Sequence, residues 1–430
     1  MIIHKTYNTI KDKHGVPIMN IIMIIFSIKM LFDIIKRGLY ALQNDMNDNI
    51  WDLSELLINY QGGFVRRGLL GDIIYHFSVI TGINPLWIVG VFCVICFAFV
   101  IYTFIHLFHL NNIQWWILPL SIFLANNALI RKDYLFITTL IIMLYLYRSE
   151  LSTLTKFFLI NLLGVFTILC HEAFFFVCVP LFSLIVLVDK NSISSFPIRL
   201  VYCLPIYISM VIVCLFHGDL STAQEIQQSW VGIVPNWDAN LPFDSGCSYY
   251  GGSIGALAWT TDFAIRHHIK LNFLDTSLYL PGYIIRLLAI ILIFYFVINY
   301  LRFFSSKETS SRIPVFFNIF FFQFLSLLPL FTVLSCDTMR ICFYWLTSSF
   351  AFFLILPDEK TFTLFPNCYI RLISKLNYIA QRLLPSNKTI TFILIFFLCA
   401  PYIGNNIPMA FMSCVLIQYI RLFIICLSVL

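Results

Sequence analysis

Apolar runs, each roughly 14–24 residues long, recur along this chain with few charges inside them, and runs of that size are what helices need to cross the roughly 30 Å hydrocarbon core of a bilayer. They lie at residues 17–35, 85–108, 113–130, 134–147, 157–170, 173–188, 200–216, 282–300, 314–334, 341–356, 390–403 and 409–430. The expected architecture is an all-α polytopic membrane protein of about 12 transmembrane helices with two long external loops. Several runs fall short of the roughly 20 residues a perpendicular helix requires, which implies local thinning or helix ends buried in protein around a water-filled cavity. Composition agrees: 60% of the residues are hydrophobic and 11% charged, against about 25% charged in a soluble domain. Residues 1–430 read as a single integral membrane domain, with no internal repeat, low-complexity tract or separate soluble unit.

The net charge of +6 reports topology rather than nucleic acid, because Lys and Arg gather on cytoplasmic loops. With the N-terminus inside, the inner loops receive Lys156, Lys190, Arg302, Lys307, Lys375 and Lys388 among others. The opposite face receives fewer cations and the acidic Asp45, Asp48, Asp52 and Glu55. No small-residue cleavage site follows the first run, so a retained first span is expected. Most of the 13 cysteines lie inside apolar runs, where Cys acts as a small hydrophobe. Cys247 and Cys336 fall in the external loops, where a bond between them is open.

The first external loop spans residues 38–84. Leu69, Leu70, Ile73, Ile74, Phe77 and Ile80 recur there at helical spacing, as in a helix lying along the membrane surface. The second, residues 217–281, is rich in Gly, Asp, Trp and Tyr and carries no strong secondary-structure signal. Trp230, Trp237, Tyr249, Tyr250 and Trp259 among its acidic residues suit stacking on sugar rings, and equally an interfacial aromatic belt.

Nearly every conspicuous charged cluster beside an apolar run maps to the outer face. In residues 61–68, Gly62 and Gly63 precede Arg66 and Arg67, two guanidiniums able to grip a pyrophosphate or to anchor an interfacial helix. Arg131, Lys132 and Asp133 fill the turn of one tight hairpin, where Asp133 can neutralise one cation and a lipid phosphate the other. His171 and Glu172 fill the next turn, as a proton-transfer couple in which the carboxylate raises the imidazole pKa, or as a structural pair. This His–Glu step lacks the second histidine of a zinc protease, so no metal is expected. Asp337 and Arg340 stand three residues apart in a further turn and can pair with each other. Ionisable groups at that depth are costly and usually paired or functional.

The run pattern, the large external loop, residues 62–68 and the turns at Arg131, His171 and Asp337 together resemble bacterial O-antigen polymerases of the Wzy type. The loop at 38–84 is also similar to the first external loop of GT-C integral-membrane glycosyltransferases. The resemblance implies a glycosyltransferase of the bacterial inner membrane, multi-pass, with its active face periplasmic. It would polymerise undecaprenyl-pyrophosphate-linked oligosaccharide repeat units into O-antigen or a related surface polysaccharide. No cofactor is implied, and no nucleotide-binding loop is present. The implied partners are the lipid-linked oligosaccharide, the bilayer and a chain-length regulator protein, with no nucleic acid. Catalysis would fall to His171, Glu172, Asp133 and Asp337, and substrate binding to Arg66, Arg67, Arg131, Lys132 and Arg340. The alternative is a lipid-linked oligosaccharide flippase or another polytopic transporter, which calls for charges midway along helices and a repeat of two halves.

Overall fold

The computed structural model describes residues 50–114, 129–189, 195–235, 237, 252–274, 282–356 and 364–383, with a few positions between 31 and 39. Among the described residues every regular element is helical. In chain order the α-helices of at least 7 residues are α1 (Ile50–Leu56), α2 (Gly68–Thr81), α3 (Pro85–Leu110), α4 (Asp133–Arg148), α5 (Thr153–Cys170), α6 (Ala173–Val188), α7 (Phe196–Leu215) and α8 (Leu220–Ser229). They continue with α9 (Thr261–Ile269), α10 (Gly282–Phe304), α11 (Ile313–Pro329), α12 (Thr338–Ile355) and α13 (Asn367–Leu383). A π-helical turn, Leu330–Leu334, extends α11.

Among the described residues four helices are long and apolar enough to cross a membrane: α3, α5, α7, and α11 with its extension, Ile313–Leu334. That is fewer than the dozen spans expected. The runs at 390–403 and 409–430 and most of 17–35 and 113–130 lie outside the described residues, as does Cys247. Two other runs form helices of only 16 residues, α4 and α6. Both nevertheless join the same two ends of the bundle as α5. Asp133 and Ala173 start them at one end, and at the other Tyr147 donates its hydroxyl to Asp189. That far end is closed by cations on the last carbonyls of α12. Arg148 donates to Ile355 O at 2.6 Å, and Arg312 to Phe353 O at 3.4 Å with its guanidinium 4.6 Å from the Phe353 ring.

Helices in an apolar setting must satisfy their own backbone, and one proline gap here is repaired by a neighbouring helix. Pro180 inside α6 has no N–H to offer the carbonyl of Phe176. Ser326 of α11 donates to that carbonyl at 2.7 Å instead. One turn away Gln323 donates to Val177 O at 2.9 Å and to Ser348 Oγ at 2.6 Å, joining α6, α11 and α12. A further side chain crosses from α5 to α7, where Asn161 donates to Tyr202 O at 2.8 Å. Apolar packing supplies the rest. Trp345 stacks on Phe320 with centroids 4.2 Å apart and donates its indole N–H to the Phe320 carbonyl.

The two polar segments expected as loops interlock over the other end of the bundle. Trp230 Nε1 donates to Leu57 O at 2.8 Å, Ser253 N to Ser54 Oγ at 2.8 Å, and Asn59 Nδ2 to Ser229 Oγ at 2.9 Å. The described part of residues 217–281 is largely helical, in α8 and α9, which corrects the expectation of weak secondary structure. Asp219 caps α8, accepting the Thr222 N–H at 2.8 Å. Trp230 and Trp237 are buried packing residues with their indole N–H groups on main-chain carbonyls. They are therefore not free to stack on a sugar. Tyr249 and Tyr250 lie outside the described residues.

Helix α2 forms where the spacing predicts it. Leu70 and Ile74 face inward, while Ile73, Phe77 and Ile80 are exposed. Its glycines answer to packing: a Cβ on Gly68 would lie 2.2 Å from the Tyr60 ring, and one on Gly71 2.0 Å from the Ile58 carbonyl oxygen. That close approach seats the start of α2 directly on the segment after α1.

Candidate functional site

The same end of the bundle holds a buried network of alternating charge. Arg340, in the first turn of α12, is its centre. Its Nε lies 2.8 and 2.9 Å from the two oxygens of Asp133, and its NH2 3.1 and 3.2 Å from those of Glu55. Tyr344, one turn further along α12, donates its hydroxyl to Asp133. Asp337 does not pair with Arg340 as the three-residue spacing suggested. Its carboxylate caps α12 by accepting the Arg340 backbone N–H, and its ion pair is with Arg131 NH1 at 3.1 Å. Arg131 also pairs with Asp52. Asp133, the first residue of α4, is held by Arg340 from the start of α12.

Lys132 is fully buried and donates to two main-chain carbonyls, Arg67 O at 3.0 Å and Cys170 O at 2.9 Å. It thereby ties the starts of α2 and α4 to the end of α5. Burial pushes its pKa down to about 8, with Glu55 opposing. Arg67 adopts a left-handed backbone, φ 68°, which is uncommon for a residue with a side chain. The Lys132 bond to its carbonyl helps hold that conformation.

From this position the Arg67 fork closes on Glu172, with Nε 3.0 and 2.9 Å from the two carboxylate oxygens and NH2 bonded as well. Burial would raise the Glu172 pKa, but Arg67, with Arg66 adding to it, holds it well below the usual carboxylate range. The same balance applies to Glu55, where burial is outweighed by Arg340, His171 and Lys132.

His171 sits between the two glutamates. Its Nδ1 accepts the backbone N–H of Ala173 at 3.1 Å, so in the neutral ring the proton is on Nε2, which donates to Glu55 at 2.8 Å. Burial, with Arg67 adding to it, moves the His171 pKa down, opposite to the rise expected of a His–Glu base. Both ring nitrogens are engaged, and Glu55 rather than Glu172 is the close carboxylate.

Arg66 differs from the other guanidiniums. Its nearest carboxylate oxygen is Glu172 Oε1 at 3.8 Å, beyond hydrogen-bonding distance, and its buried Nε has no partner. A quarter of its side chain is exposed. Its backbone N–H donates to Phe216 O at 2.8 Å, which fixes it beside the end of α7. Gly62 packs against the Thr222 carbonyl of α8, and Gly63 takes φ +99° in an open turn. Their role is thus to fold the approach to the arginines.

The structure brings the nine residues singled out from sequence into one continuous network and adds three: Asp52, Glu55 and Tyr344. Asp52 and Glu55 were visible only as acidic residues of the first loop. Tyr344 gave no signal, being one aromatic among many in an apolar run. Among the described residues no group of three or more His, Cys, Asp or Glu is placed to hold a metal ion. The fold and site define an all-helical protein whose apolar helices suggest a membrane setting, with a buried ionic network at one end. No protein-family model, curated protein or solved structure matches the chain.

Proposed function

We propose that this protein is a polytopic glycosyltransferase of the bacterial inner membrane, of about 12 spans, that polymerises oligosaccharide repeat units carried on undecaprenyl pyrophosphate. The network then lies at the periplasmic face. The observation that carries the reading is Arg66: a charged fork left short of a partner, partly exposed, and adjacent to a second arginine. A pyrophosphate supplies what that fork lacks, and bidentate binding to paired guanidiniums is strong. The hydroxyl oxygen of the acceptor sugar forms the new bond to the anomeric carbon as the bond to pyrophosphate breaks. The lipid pyrophosphate leaves with the charge that Arg66 and Arg67 stabilise.

The hydroxyl proton goes to a carboxylate. Glu55 and Asp133 are 1% and 0% exposed and bonded to Arg340, so they hold the site together. His171 has both nitrogens engaged and orients Glu55. Glu172 is partly exposed and adjoins Arg66. A pyrophosphate competing for Arg66 and Arg67 loosens their hold on Glu172 and returns its basicity, so donor binding prepares the base. Asp337, 29% exposed at the rim, is next in line. A transporter needs charges lining a path through the bundle, whereas the ionic network gathers at one end.

The test is complementation of a strain lacking the protein, read as the lipopolysaccharide ladder. Arg66→Ala abolishes long polymer at normal membrane level, leaving one repeat unit per core. Normal-length polymer from Arg66→Ala removes the proposed role of Arg66. Loss of every repeat unit in the null strain points to a flippase or ligase.

A further inference from the structure

Helix α13 divides its surface in an uncommon way. Ile373 is buried and Tyr369 and Ile370 are half-buried, and Tyr369 donates its hydroxyl to Asn318 O of α11 at 2.9 Å. Phe365, just before the helix, stacks on Tyr369 at 4.8 Å. A second apolar stripe stays bare: Leu372, Leu376 and Ile379, spaced by four and three residues, are 55%, 38% and 51% exposed. Arg371, Lys375 and Arg382 are exposed on the flank of that stripe, and the helix contains no acidic residue. The Arg382 guanidinium lies 5.5 Å from the Tyr378 ring.

Asn318 is five residues into α11, about 8 Å from its start at 1.5 Å per residue. That start is at the end of the bundle away from the charge network, where Arg312 meets Phe353. A depth of about 5–10 Å is where an interfacial helix rests, at the boundary of headgroups and acyl chains. Three cations with no counter-charge exclude a path across the bilayer for α13 itself.

We propose that α13 is a membrane-surface helix that docks on the anionic phospholipids of the leaflet opposite the charge network. Leu372, Leu376 and Ile379 enter the acyl layer, and Arg371, Lys375 and Arg382 hold lipid phosphates. Charge complementarity names the partner, since each Lys or Arg near an anionic leaflet adds about 1 kcal/mol of attraction.

An environment-sensitive fluorescent amino acid is placed at position 376, and in a second protein at position 374, of the full-length chain in proteoliposomes. Vesicles contain phosphatidylethanolamine alone or mixed with phosphatidylglycerol. In the mixed vesicles the 376 probe is quenched by doxyl-labelled lipid and protected from iodide, while the 374 probe is quenched by iodide. Without phosphatidylglycerol, or with Arg371→Glu and Lys375→Glu together, lipid quenching at 376 falls severalfold. A 376 probe quenched by iodide and not by lipid overturns the proposal. Protection from both quenchers overturns it too, because the stripe is then covered by protein, either this chain or a second copy. Lipid quenching indifferent to lipid charge and to the double substitution removes the anionic partner.

Discussion

The Arg340 guanidinium holds Asp133 by both carboxylate oxygens, at 2.8 and 2.9 Å, across 207 residues of sequence. It joins the first turns of α4 and α12 and reaches Glu55 of α1 with Nη2. Removing one partner of a buried pair leaves the other charge uncompensated, at a cost of about 3–5 kcal/mol. Arg340→Met therefore lowers thermal stability in detergent sharply. Asp337→Asn loses only a rim ion pair and an N-cap charge and is milder, at about 1 kcal/mol. Equal loss in the two variants contradicts the central place given to Arg340.

Arg66 and Arg67 are neighbours with different work. Arg67→Lys replaces a planar fork by a point charge and releases Glu172, so it weakens both stability and transfer. Arg66→Lys leaves the folded network intact and weakens only the donor interaction. Parallel melting and transfer assays with purified protein separate the two. The outcome that contradicts the assignment is a destabilised Arg66→Lys beside a stable Arg67→Lys.

His171 is a neutral imidazole with its proton on Nε2, and nitrogen NMR of labelled histidine reads this tautomer directly. Its folded pKa lies below the usual 6.5, so below that value the unfolded chain binds more protons than the folded one. Stability from this group is present above pH 6.5 and is lost as pH falls through the folded pKa. His171→Phe takes from Glu55 one of its hydrogen bonds, leaving it with Arg340, and costs about 1.5–3 kcal/mol, the worth of a hydrogen bond to a charged group. A ring already protonated at pH 7 contradicts the geometry.

Lys132 carries the alkaline response. Its folded pKa of about 8 lies below the ordinary 10.5, so the unfolded chain keeps a proton that the folded chain releases. Stability from this group rises with pH between those values. Donor binding moves the other way, because the network loses a cation above about pH 8. Rising KM above pH 8 in wild type, absent from Lys132→Met, is the expected pattern.

Ser326 satisfies the Phe176 carbonyl that Pro180 leaves open. Ser326→Ala costs about 1–3 kcal/mol, the desolvation penalty of an unpaired buried acceptor. In a Pro180→Ala background the helix pairs that carbonyl itself, and the cost of Ser326→Ala vanishes. Additive losses in the double variant contradict the repair.

Much of the frame is written locally. The runs at 85–108, 157–170, 173–188, 200–216 and 341–356 became helices with nearly the expected limits, because apolar length and the need to pair every backbone group leave one solution. The sequence also marked the charged turns as one-sided, since charges flanking apolar runs cannot enter a hydrocarbon layer unpaired. Partner choice was not legible. Asp337 stands three residues from Arg340 and Asp133 next to Lys132, yet each carboxylate is matched to a distant cation. Ion pairs in a buried end are selected by which helix ends abut and how much water they exclude, and both depend on packing between residues far apart in the chain. Tertiary structure alone therefore brought Glu55 to Arg340 and His171, turned the imidazole proton toward it, and left Arg66 3.8 Å from its nearest carboxylate oxygen.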